Sequence, residues 1–100
     1  MDAAQVGATV RMTVVTSEAC HFCEQAQQEL ARLSQHFSLG VRAVPVESPE
    51  GAALLARHRP AMNPLVLADG AFFSAGRLPV KKLIRHLERV GATRTADGTA

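Results

Sequence analysis

Apolar positions along the chain switch between two periods, and the switches mark the elements. Arg11-Met12-Thr13-Val14-Val15-Thr16 is a largely β-branched run bounded by the turn-like Ser17-Glu18-Ala19, which predicts a first strand over 11–16. Beyond it, Cys23, Ala26, Leu30, Leu33 and Phe37 recur at helical spacing with Gln, Glu and Arg opposite, predicting a helix over about 20–37 that the chain leaves at Gly40. A second strand is expected over 41–46, its regular pattern cut at Pro45. Ser48-Pro49-Glu50 is a helix start with a mechanism: a hydroxyl cap, a proline in the first turn, a carboxylate at the positive end of the dipole. That helix should run over 49–59 and stop at Pro60. Residues 65–68 and 71–74 flank Asp69-Gly70, a two-residue hairpin signal. A last helix over 79–90 places Val80, Leu83, Ile84, Leu87 and Val90 on one face, and Gly91 closes it.

The order is β-α-β-α-β-β-α. Its opening strand–helix–strand unit requires a parallel pair joined by a right-handed crossover, and the later hairpin adds antiparallel strands. The expected class is α/β, a mixed four-stranded sheet flanked by three helices. One hundred residues suffice for one domain with one modest core. The small, polar ends give the expected organisation: a flexible N-terminal tail over 1–9, a domain over 10–91 and a flexible C-terminal tail over 92–100.

Composition narrows the function classes. The formal net charge is only +2, and the densest basic groups, Arg57-His58-Arg59 and Lys81-Lys82, are too short to argue for nucleic acid. Residues 1–8 carry Asp2 and no basic segment, and no long apolar stretch follows, so neither an export signal nor a membrane span is expected. The expected location is cytoplasmic, where two cysteines should be reduced or cycling rather than a permanent staple.

Those two cysteines, the only ones in the chain, are three apart in Cys20-His21-Phe22-Cys23, at the predicted strand-to-helix junction. Such a pair is the signature of a dithiol that cycles through a disulfide. Thiol chemistry is run by the thiolate, and free backbone N–H groups with the positive end of a helix dipole favour an anion there. Cys20 is therefore the expected nucleophile, exposed and acidified. Cys23, one turn further in, is the expected resolving thiol. A zinc site would need two more ligands; no cysteine remains, and His36, His58 and His86 fall on three separate predicted helices, so no metal is expected. Haem attachment is excluded because the histidine lies inside the pair. As an imidazolium, His21 would stabilise the Cys20 thiolate, although a cation is unfavourable at that helix end; both readings stand. Phe22 either offers an apolar surface beside Cys20 or packs into the helix.

Three segments resemble the thioredoxin-like superfamily, and within it glutaredoxins and small glutaredoxin-like proteins. They are the entry Thr13-Val14-Val15-Thr16-Ser17-Glu18-Ala19-Cys20-His21-Phe22-Cys23, the proline with its apolar strand and turn in Met62-Asn63-Pro64-Leu65-Val66-Leu67-Ala68-Asp69-Gly70, and the turn Ala75-Gly76-Arg77-Leu78-Pro79. The resemblance implies a thioredoxin-like fold and a thiol-disulfide oxidoreductase in which Cys20 attacks a protein or mixed disulfide and Cys23 resolves it. It also implies a cis Asn63–Pro64 bond beside the cysteines, with the backbone of Asn63 offered to an extended substrate. His21, Phe22, Asn63, Pro64, Gly76 and Arg77 are the implied substrate-binding residues, Arg77 as a partner for a carboxylate. No bound cofactor is implied; the electron donor is a small thiol, glutathione or mycothiol, or a thioredoxin-type flavoprotein reductase. Disulfide-containing or thiol-conjugated proteins are the implied partners of a monomer that binds neither nucleic acid nor membrane. The alternative on the same fold is a non-catalytic redox-sensing or binding module. The chain departs from the glutaredoxin pattern at Ser17, where a basic residue is common, at His21-Phe22 in place of Pro-Tyr, at Met62-Asn63 in place of Thr-Val, and at Ala75-Gly76 in place of Gly-Gly. Val14 stands where thioredoxins bury an aspartate.

Overall fold

In a computed structural model, which describes residues 9–93, the β-branched run becomes an inner strand of the sheet. β1 (Val10–Thr16) pairs in parallel with β2 (Leu39–Pro45) on one side and antiparallel with β3 (Leu65–Ala68) on the other. β3 pairs antiparallel with β4 (Ala71–Ala75), so the strand order is β2-β1-β3-β4. Helices α1 (His21–Leu33), α2 (Pro49–His58) and α3 (Val80–Arg89) complete the β-α-β-α-β-β-α order, the thioredoxin-like topology expected of the sequence.

The sheet is covered on both faces, which is why β3 reads as a continuous apolar run and β1 carries Val14 and Val15 side by side. Val10, Met12, Val14 and Val66 meet Ala26, Leu30 and Leu33 of α1 and Leu83 and Leu87 of α3 in the larger core. On the opposite face Val15, Leu65 and Leu67 pack with Val46, Leu54 and Leu55. Each fully buried Val or Leu contributes about 1.5–3 kcal/mol by leaving water. β2 and β4 are the edges, and Val41 and Phe72 remain exposed there.

The termini of the helices follow their local chemistry. Ser48 caps α2 by accepting the Gly51 N–H at 3.0 Å, with Pro49 at the first position. Glu50 accepts two hydrogen bonds from Arg42 of β2, at 2.7 and 2.6 Å. The Arg42 hydrogen bonds hold the Glu50 carboxyl below its ordinary range, and the same bonds raise Arg42. Whatever stability this surface pair adds is present above the ordinary carboxylate pKa and lost as pH falls through the lowered one; an exposed pair adds little. At the end of α3, Gly91 adopts φ +76° while its N–H and that of Ala92 bond to Glu88 O and Leu87 O, a Schellman closure.

Two boundaries, the end of α1 and the start of β2, differ from the sequence expectation by more than one residue. α1 ends at Leu33, not near Phe37, because three-residue turns take over: Gln35 N–H bonds Arg32 O and His36 N–H bonds Leu33 O. His36 therefore lies beyond the helix. Phe37 is still buried, held by a bridge to Thr93. Gly40, expected at a helix exit, is a residue of β2 opposite Arg11, since the parallel register already starts at Val10–Leu39. Past Gly91, Ala92 is fully buried and its carbonyl accepts Ser38 N–H, so packing continues into the segment expected as a tail. The remainder of the expected tails, 1–8 and 94–100, lies outside the described residues.

Gly51 shows packing overriding propensity. Alanine is favoured over glycine in a helix by about 1 kcal/mol, but a Cβ on Gly51 would drive into the backbone carbonyl of Pro45. Gly51→Ala is expected to destabilise the protein by at least about 2 kcal/mol, as overpacking against rigid backbone does. Ser74 is the opposite case, because its buried Oγ has no hydrogen-bond partner among the described residues. Ser74→Ala should leave stability unchanged or raise it by about 1 kcal/mol. Urea midpoints at constant m-value check both signs.

Candidate functional site

The register of the inner strands assembles the site. Val15 pairs with Leu65, antiparallel, so the chain leaving β1 and the chain entering β3 meet at one end of the sheet. The first supplies Ser17 through Cys20, the second Met62, Asn63 and Pro64. Ala19 turns the chain with φ 53°, a left-handed conformation that costs a residue with a Cβ roughly 1 kcal/mol. Nothing in the sequence marks that alanine as strained. Cys20 follows in extended conformation as the N-cap of α1, and its Sγ accepts the Cys23 N–H at 3.1 Å. A sulfur thus fills the role usually taken by a Ser or Asp oxygen.

Cys20 and Cys23 form a disulfide with Cα atoms 5.2 Å apart. The two sulfurs are not equivalent. Cys23 is 3% exposed and lies on the buried face of α1, whereas Cys20 is only partly buried. Ser17, Ala19, Cys20, His21, Phe22 and Asn63 line one open depression of about 450 Å³ beside it. His21 is exposed, and Phe22 is 40% exposed rather than packed into the helix.

Across the depression the Asn63–Pro64 bond is cis, Pro64 is buried, and Asn63 is exposed with no hydrogen bond to any other described residue. Pro64 O accepts the Gly76 N–H at 2.9 Å. Gly76 is needed there twice over: its φ is +89°, and a Cβ would press on Met62 at 3.3 Å from Sδ. Gly76 therefore stands behind the proline and does not line the depression itself. Arg77 lies in a neighbouring depression with Gln25 and the start of α3.

Gln25 was not legible as a site-building residue. Its side-chain amide donates to Leu78 O at 3.3 Å and accepts Leu78 N–H at 2.9 Å, imitating a strand pair and tying α1 to the segment before α3. The bond spans 53 positions and leaves no local trace in the sequence. Among the described residues no group of three His, Cys, Asp or Glu could hold a metal ion, and no helix is long and apolar enough to cross a membrane. The cleft at the other end of β1, lined by Arg11, Arg42 and Asp69, holds no thiol or imidazole. No family model and no curated protein matches the chain.

A close pair of cysteines, one accessible at a helix N-cap and one buried, can do asymmetric thiol chemistry. In the reduced protein Cys20 should alkylate roughly tenfold faster than Cys23 or more at neutral pH, given its access and the N–H aimed at its sulfur. Mass spectrometry of iodoacetamide-labelled peptides over time measures the ratio; equal rates would remove the asymmetry.

Proposed function

We propose that this chain is a glutaredoxin-like thiol-disulfide oxidoreductase. The observation that carries the reading is the disulfide of an accessible N-cap sulfur with a buried one, beside an unpaired stretch of backbone at Asn63. In the dithiol state the Cys20 thiolate attacks one sulfur of a substrate disulfide, forming a Cys20–substrate mixed disulfide and releasing the other sulfur as a thiolate that takes up a proton. Cys23, deprotonated, then attacks Cys20 Sγ. The substrate leaves as its second thiol, and the Cys20–Cys23 disulfide remains. Two electrons have moved to the substrate.

The helix N-terminus supports the first step, since the Cys23 N–H and the dipole favour a charged Cys20 sulfur in the reduced state. Burial of Cys23 keeps it from competing for substrate, and its position one turn away keeps it within reach of Cys20. The exposed backbone of Asn63 suits an extended substrate segment bound as an added strand, with Phe22 and Met62 as apolar neighbours. A small thiol, glutathione or mycothiol, or a flavoprotein reductase would return the electrons. Disulfide-containing or thiol-conjugated proteins are the corresponding partners of a monomer.

Turnover of hydroxyethyl disulfide, measured with each of these three donors in turn, tests the reading. Cys20→Ser should lower the rate by at least about a hundredfold, the loss expected on removing a nucleophile. Cys23→Ser should still trap mixed disulfides in a form that dithiothreitol releases. Absence of turnover with every donor would instead make the pair part of a non-catalytic redox-sensing or binding module.

A further inference from the structure

The stripe of α1 that carries His21 continues through Gln25 and Glu29, positions four apart that share a helix face. It leads out of the disulfide depression into a second one of about 560 Å³, which Arg77, Lys81, Lys82 and Arg85 line together with Gln25 and Glu29. The charges there do not cancel. Glu29, its one carboxylate, is taken by Arg32, which donates to it at 3.0 and 2.5 Å. Lys82 is also engaged, donating to Phe73 O at 3.1 Å with its ammonium 4.8 Å from the centre of the Phe73 ring. Arg77, Lys81 and Arg85 are exposed and have no partner among the described residues. The first turn of α3 carries no acidic residue and Pro79 gives it no side-chain cap, so the dipole adds potential of the same sign.

This cationic depression is mechanically continuous with the cysteines. Gly76, next to Arg77, bonds to Pro64 O, and Leu78 is clamped by Gln25, two residues beyond Cys23. We propose that it docks an acidic segment of polypeptide adjoining the disulfide to be reduced, so that the chain selects protein disulfides flanked by Asp and Glu. The inference rests on the oxidoreductase reading and specifies its substrate class. Lys81 and Arg85 stand one helical turn apart on α3, with Arg77 ahead of the helix. Three cations along a strip complement a run of side-chain carboxylates better than the two of glutathione, and mycothiol carries none. Phe22 and Met62, 40% and 52% exposed, give the same substrate an apolar foothold at the cysteines. Complementary charge of this kind raises encounter rates by about 10–1,000-fold and is screened by salt.

The test uses two peptides with the same intramolecular disulfide, one flanked by Glu and the other by Gln, with hydroxyethyl disulfide as an uncharged control. The full chain is regenerated by dithiothreitol, whose two thiols supply the two electrons of each cycle. The Glu-flanked peptide should show a kcat/KM roughly tenfold higher or more at low ionic strength, with the gap closing by about 1 M salt, where the Debye length is ~3 Å. Lys81→Glu/Arg85→Glu should erase or invert the preference while hydroxyethyl disulfide turnover stays at the wild-type rate, which also reports that the variant is folded. Equal kcat/KM for the two peptides, with hydroxyethyl disulfide turned over, overturns the docking inference alone. No turnover of any of the three overturns the oxidoreductase reading and this inference with it.

Discussion

The pairing of β1 on both edges is the constraint on which the rest of the molecule depends. β1 is buried on both faces, and its register against β3, Val15 opposite Leu65, fixes where two distant segments meet. A slip of one residue would turn every inward side chain of the strand to the other face, exchanging the environments of Val14 and Val15 between two different cores. The same register sets Ser17–Cys20 against Met62–Pro64. The cysteine pair and the cis-proline segment beside it are thus held together by hydrogen bonding and apolar packing that neither of them supplies.

Around that frame the site is built from backbone. Cys20 caps a helix, the peptide groups of Asn63 are unpaired among the described residues, and Gly76, at φ +89°, donates its N–H to Pro64 O. Side-chain identity matters less in such an arrangement than the path of the backbone. What surrounds that backbone is an apolar rim and a strip of cations unpaired among the described residues. Gln25 links the two, since it belongs to the helix of the cysteines and holds Leu78 at the edge of the cationic depression.

Elements with strong local signals are legible in the sequence. β3, flanked by a proline and an Asp-Gly turn, and α2, opened by Ser48-Pro49-Glu50, fall where their residues indicated. The five apolar positions from Cys23 to Phe37 are all buried, although the helix stops at Leu33. Periodicity reported which side chains face the core, and it could not report that Phe37 reaches the core from a bridge with Thr93. Gly40 misled for the same reason: glycine reads locally as a helix exit, but its conformation is set by a strand 29 positions earlier.

By itself the sequence determined the element order, the buried face of α1 and, apart from Val90, that of α3, and the asymmetry between an outer and an inner cysteine. These follow from spacing, which chain connectivity carries directly. Only the tertiary structure decided the rest: the strained turn at Ala19, the clamp from Gln25 to Leu78, and the fit of Gly51 against Pro45. It also decided which cations near α3 are free among the described residues, because Arg32 withdraws Glu29 and the Phe73 ring and carbonyl occupy Lys82. Each of these depends on groups brought within a few ångströms by the fold from places far apart in the chain. No local rule of propensity or pattern contains those distances.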